Sequence, residues 1–266
     1  MTRLELSGRG IDTVDSSTYN KKLMLEAAAI VGSILLAFAI DAWWESRQRA
    51  EDELSYLELI LRDLEQARET TNRFISYTDG AAKAALRAYA ALSKSGPYDR
   101  EVIRRDLLSV DRMTLTIPTA GYTEILSTGN LNVISDRALR DSIVRFYESA
   151  KRAQLILEKN NDAYLDGLLI NTYFGEGLLL PYLDAGVGHR RIGAAFEDVN
   201  AALGADFEHR EELLWTLSDD SREWNKLRSV LLWASMGHSF GSNFATELEA
   251  DTDELAAKVR VQLNNL

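Results

Sequence analysis

The sequence predicts an all-α protein: one amino-terminal transmembrane helix continuing into an antiparallel helical bundle. Three observations carry that expectation. Leu23 to Ala42 is a run of twenty residues with a single charge before Asp41, Glu26. At ~1.5 Å of rise per residue, such a helix is roughly 30 Å long, the thickness of a bilayer's hydrocarbon core. No Gly or Pro occurs between Gly32 and Gly80, so no local signal stops the helix at the membrane surface. Only three prolines are present (Pro97, Pro118 and Pro181), which suits long helices.

The elements follow in order. Residues 1–20 are polar and turn-rich, with Gly8, Gly10 and Ser16-Ser17-Thr18, and read as a flexible tail. Residues 21–44 form the transmembrane helix. Lys21 and Lys22, with Tyr19, flank one end and Trp43 and Trp44 the other, where cations and amphipathic rings favour the headgroup layer. At 100° per residue Glu26, Ala29, Ser33, Ala37 and Asp41 fall on one side, together with Ile30. Small residues four apart let helix backbones approach in lipid, so this side is a candidate self-association face. The alternative is that Glu26 snorkels to the interface beside Lys21 and Lys22.

Residues 45–266 read as an acidic helical soluble domain. Leu54, Leu57, Leu61 and Leu64 are spaced by three and four, with Glu51, Asp52, Glu58, Arg62, Asp63 and Glu65 on the remaining surface. That is two heptads of a coiled coil or bundle helix, fading at Arg68 and Thr71. Thr78-Asp79-Gly80 reads as a turn before a helix from Ala81 to Leu92, which Ser95-Gly96-Pro97 ends. Asp99 can cap a helix reaching Ser109. Met113 to Pro118 alternates and looks extended, and Thr119 to Leu126 is a short helix closed by Ser127-Thr128-Gly129-Asn130. A long helix begins at Ser135, with Ile143, Phe146, Tyr147, Ala150, Leu155, Leu157, Tyr164 and Leu168 as its apolar positions. Residues 181–193 are the most irregular, a candidate lid within 176–193. Helices resume near Arg210, and a final one runs from Ser221 towards Val261. Residues 229–246 lack charge, yet their serines, His238 and Asn243 favour a buried helix over a second span.

Composition narrows the function classes. Hydrophobic residues make up 46%, as in a folded protein. From Trp43 onward 26 basic residues face 36 acidic ones, an excess that disfavours nucleic acid, whose phosphates need clustered Lys and Arg. The absence of cysteine removes disulfides and thiolate metal sites and fits either side of a bacterial inner membrane. Four Lys/Arg precede the span, and Arg47, Arg49 and Arg62 follow it. By the positive-inside rule this puts the bulk of the chain in the periplasm. Ala37-Phe38-Ala39 also fits a cleavage site after an apolar run. The apolar pattern continues through Ile40, which favours a retained anchor over a soluble periplasmic product.

No motif for chemistry emerges. His189, His209 and His238 show no metal-ligand spacing. Gly186-x-Gly188 meets Arg191 where a dinucleotide fingerprint needs glycine. The acidic run Glu247, Glu249, Asp251, Asp253, Glu254 lacks the glycine and spacing of a calcium loop. His189-Arg190-Arg191 could hold an anion, though three loop cations are more simply solvated. Trp224 and Trp233 are nine apart, about 180° around a helix, and cannot share a face; a helix-packing role or a groove is open to each.

Glu26, Ala37, Ile40, Trp43 and Glu45 form a pattern of Glu, then Ala-x-x-Ile, then Trp-x-Glu at the exit of the span. Gly121-Tyr122-Thr123-Glu124-Ile125-Leu126-Ser127-Thr128-Gly129-Asn130-Leu131 is a second block, followed by Tyr147. Together they resemble an uncharacterised bacterial family of single-pass membrane proteins, over about the first 150 residues. Ser33 stands where the family usually has glycine. The resemblance implies a helical soluble domain on an amino-terminal membrane helix and brings no catalytic residues. The expected function is therefore non-enzymatic: a membrane-anchored scaffold, sensor or partner-binding protein without cofactor. Its expected partners are the lipid bilayer, a second copy through the anchor, and another protein. A metal-dependent envelope hydrolase built on clustered carboxylates is the alternative.

Overall fold

The structure, a computed structural model, describes residues 16–94, 96–175 and 213–266. It is all-α, with no strand among those residues. The helices are α1 (Ser16–Leu92), α2 (Arg100–Leu108), α3 (Ala120–Ser127), α4 (Arg137–Asn160) and α5 (Arg222–Asn265). A π-helical segment, Asn161–Gly175, extends α4. Short 3₁₀ turns lie at Asn130–Val133 and Leu213–Thr216. The chain divides into two compact units, Met1–Ser55 and Tyr56–Leu266.

In the first unit α1 begins at Ser16, inside the stretch expected to be tail. Residues 23–50 are exposed throughout, and this is the one helix among the described residues long and apolar enough to cross a membrane.

In the second unit α1 carries an unbroken seam. Leu57, Ile60, Leu64, Ala67, Thr71, Phe74, Thr78, Ala81, Ala85, Ala88 and Leu92 are all buried, at strictly alternating steps of three and four. The expected two heptads are thus five. The register also differs: Leu54 and Leu61 lie outside the seam, and Thr71, where the expected pattern fades, lies in it. α5 repeats the rhythm with Trp224, Leu227, Leu231, Ala234, His238, Gly241, Ala245, Leu248, Thr252, Leu255 and Val259, again all buried. Such seams are the signature of coiled-coil-like packing between bundle helices.

The expected turn at Thr78-Asp79-Gly80 does not form, and α1 runs through it. Thr78 Oγ1 donates to the carbonyls of Phe74 (2.9 Å) and Ile75 (3.1 Å), and Asp79 accepts from Ser242 Oγ at 2.6 Å. A helical Gly costs only about 1 kcal/mol, less than burying Ala81, Ala84, Ala85 and Ala88 returns in packing.

Direction follows from the cross-helix pairs. Arg260–Glu65, Arg68–Asp253, Ser242–Asp79 and Arg228–Leu92 set α5 antiparallel to α1. Asn160 bonded to Gly237 and Gln262 to Ser135 set it antiparallel to α4. α1 and α4 therefore run parallel, joined by α2, α3 and an irregular crossover. Asp99 and Asp136 cap α2 and α4 through their side chains, and Ser221 caps α5, as short polar residues do. In the crossover Leu115 and Ile117 are buried while Thr114 and Thr116 are exposed, matching the expected alternation. Gly129 takes φ +71°, the left-handed turn that glycine permits.

Candidate partner-binding surface

The predicted anchor residues lie where the helical repeat places them. Glu26, Ala29, Ser33, Ala37 and Asp41 are all exposed, and Ser33 Oγ donates to the Ile30 carbonyl at 2.8 Å, so its hydroxyl is satisfied within its own helix. Lys21 is exposed and Lys22 lies on α1. Trp43 and Trp44 are 59% and 62% exposed, and the Arg47 guanidinium lies 5.9 Å from the Trp43 ring centre. Two exposed i,i+4 pairs, Arg47–Glu51 and Arg49–Glu45, follow.

The block Gly121–Leu131 gathers on α1. Asp63, expected on the charged surface, is instead buried. Its Oδ2 accepts the Gly121 amide at 2.8 Å, the Tyr122 amide at 3.4 Å and the Tyr147 hydroxyl at 3.2 Å. α3 lacks a side-chain cap of its own, so Asp63 provides one from another helix. The Tyr122 and Tyr147 rings stack 4.2 Å apart at 4°, and Asn130 Nδ2 donates to Tyr56 Oη at 2.6 Å. Burial, with Asp63 beside it, pushes the Tyr147 hydroxyl well above the ordinary phenol range. Tyr147 is therefore a protonated donor that locks α4 to α1. Sequence reasoning singled out Gly121 and Tyr147 and missed Asp63 and Tyr56, which nothing local distinguishes from solvated neighbours.

Beside α5 lies an apolar groove of about 440 Å³, lined from α4 and the π segment by Ile156, Lys159, Asn160, Ala163 and Tyr164, and from α5 by Trp233, Met236, Gly237 and Phe240. Tyr164 and Trp233 stack 5.6 Å apart at 6°. The expectation that 229–246 is a buried helix holds for one face only. Val230, Leu231, Ala234, His238, Gly241 and Ser242 are buried, whereas Trp233, Met236 and Phe240 are 48%, 61% and 45% exposed. Leu155 and Tyr164, expected as core positions of the long helix, are also exposed. Trp224 and Trp233 do lie on opposite faces. Trp224 is buried, donates Nε1–H to the Leu214 carbonyl at 3.1 Å and meets Tyr98, Trp215 and Arg228.

The polar clusters are internally paired. Arg112 binds Glu158 at 2.9 Å, approaches Asp162 at 3.8 Å and also binds Asp166, so one guanidinium occupies three carboxylates of α4 and the π segment. Arg87 binds the buried Asp106 at 2.7 Å. Among the described residues no group of three or more His, Asp or Glu is arranged to hold a metal ion. Glu247, Asp251, Asp253 and Glu254 are exposed along α5, and Glu249 half-buried. His238 is buried with Nε2 unbonded, and burial lowers its pKa to about 4. His189, His209, the Gly186–Gly188 pair, the His189-Arg190-Arg191 cations and the 176–193 lid lie outside the described residues.

Comparison with protein-family models, with curated proteins and with solved structures finds no match.

Proposed function

We propose that this chain is a single-pass protein of the bacterial inner membrane whose helical domain binds protein partners in the periplasm and performs no chemistry of its own. The observation that carries the reading is the exposed apolar stretch of α1. An uncovered run from Leu23 to Ala42 has no stable place in water, and lipid is the solvent that fits its length and self-satisfied backbone. The resemblance of the anchor and of the Gly121–Leu131 block to single-pass membrane proteins supports the same reading. Trp, Tyr, Met and Phe are the side chains enriched at protein interfaces, and the Trp233 groove presents them together. Tethering raises the concentration of such a surface near other membrane proteins without any new contact.

Orientation is testable because the chain has no cysteine. In Val102→Cys, at an exposed position of α2, a membrane-impermeant maleimide added to intact spheroplasts labels a periplasmic domain; labelling only after lysis contradicts it. The face Glu26, Ala29, Ser33, Ala37, Asp41 is proposed as a contact between spans. Ser33→Leu with Ala37→Leu then lowers crosslinking between anchors while insertion is retained, and unchanged crosslinking contradicts the contact.

A further inference from the structure

We infer that the groove between α4 and α5 is where a helix of a partner protein docks, an amphipathic helix with acids along one flank of its apolar stripe and bases along the other. Two hollows of about 440 Å³ each open into that groove. The first, beside Trp233, is apolar; the second lies over Phe146 and Leu255 among charges. Their α5 linings repeat. Trp233, Met236, Gly237 and Phe240 line the first, and the residues eighteen further on, Asp251, Glu254, Leu255 and Lys258, line the second. Eighteen residues make five full turns at about 3.6 residues a turn, so both hollows lie on one face of α5.

The α4 wall keeps the same line. Ser142, Arg145, Ser149 and Arg152 in the second hollow and Ile156 and Lys159 in the first follow one another at alternating steps of three and four. Phe244, partly buried with its ring 5.7 Å from that of Phe240, continues the apolar face between the hollows. From Trp233 to Lys258 the groove is about 37 Å long, room for a helix of about 25 residues. Neither hollow alone offers the ~800 Å² per partner of a specific interface; one helix lying along both gathers them into a single contact, as helix-in-groove recognition does.

Charge states the chemistry of that helix. Arg145, Arg152 and Lys159 are exposed on the α4 wall seven residues apart, and among the described residues none forms an ion pair. Glu148 is the one acid lining this wall. Across the second hollow stand Asp251, also unpaired, and Glu254, bonded to Lys258 at 2.6 Å. An uncharged apolar partner would cover the three cations without a counter-charge, which costs free energy. Carboxylates at the same spacing match the α4 wall and bases match the α5 wall, as flanking charges do between bundle helices. Docking here rests on the partner-binding role proposed above and gives the partner its shape.

The test uses the full-length chain in mild detergent with one cysteine introduced: Met236→Cys in the first hollow, Ser149→Cys in the second, or Val102→Cys elsewhere on the domain. The probe is a synthetic helix of about 25 residues with a leucine stripe, Glu on one flank and Lys on the other. The expected result is that it slows maleimide labelling at least fivefold at 236 and at 149 and leaves 102 unchanged. Arg145→Glu with Arg152→Glu and Lys159→Glu removes that protection with unchanged helical circular dichroism, and a helix with Lys on both flanks restores it. Protection at 236 alone, no protection, or equal protection by a helix with Gln on both flanks overturns the docking. Slow labelling at 236 and 149 before any helix is added does so too, because the chain itself or a second copy then fills the groove. Detergent removes the membrane from the experiment, so its failure leaves the anchored reading standing. A chain that carbonate strips from envelopes yet binds the helix overturns the anchoring alone.

Discussion

Asp63 on α1 accepts the backbone amide of Gly121 at 2.8 Å, so the first helix caps the third from 58 residues away. Gly121 is fitted to that approach: a Cβ there would sit 3.0 Å from the Leu59 backbone carbonyl carbon and oxygen, atoms that cannot turn aside. Asp63→Ala leaves the Gly121 amide and the Tyr147 hydroxyl without their acceptor, and a loss of about 2–3 kcal/mol is expected. Gly121→Ala overpacks the contact and costs about 1–3 kcal/mol. Urea unfolding in mild detergent, followed by Trp fluorescence, measures both. Wild-type midpoints would contradict the docking described.

Legibility in the sequence followed the range of the signal. The cap Asp99 acts within three residues, so a local pattern suffices to find it, and the helix starts expected at Ser135 and Ser221 fall within two residues of the observed ones. The apolar span is equally local. The seam of α1 was missed beyond Leu64 because it continues through Thr71, Thr78 and four alanines, residue types that hydropathy does not mark as core. Gly80 misled for the opposite reason: its turn chemistry is real, and packing by α5 overrides it. Asp63 and Trp233 mark the limit, since a buried acid and an exposed tryptophan depend on partners far along the chain.

His238 makes the domain acid-sensitive. Its folded pKa, lowered to about 4 by burial, lies below the ordinary value of about 6.5. The unfolded chain therefore binds more protons between those values. The stabilising contribution is complete above pH 6.5 and is lost as pH falls towards 4, about 3 kcal/mol in all. His238→Met keeps an unbranched side chain of similar size, and unfolding midpoints at pH 7.5 and 5 should differ less in it than in the wild type. An unchanged difference assigns the sensitivity elsewhere.

Arg112 holds Glu158, Asp162 and Asp166 together; partial burial pulls its pKa down, and the hydrogen bonds and charges of Asp166 and Glu158 outweigh that and raise it. Arg112→Ala leaves three like charges within reach of one another on α4 and the π segment. A loss of about 1–3 kcal/mol is expected, and because mutual repulsion is screened, the deficit shrinks as salt is raised. Arg112→Lys keeps the charge without the fork and should fall between. A deficit independent of salt would mean that packing, not charge, sets the role of Arg112.

The central claim is that α1 between Leu23 and Ala42 resides in lipid. Alkaline carbonate washing of bacterial envelopes, with the intact mass of the recovered chain, tests it most directly. The account predicts full-length protein, Met1 side included, retained in the membrane pellet. Full-length protein in the supernatant, or a mature chain beginning at Ile40, would contradict it.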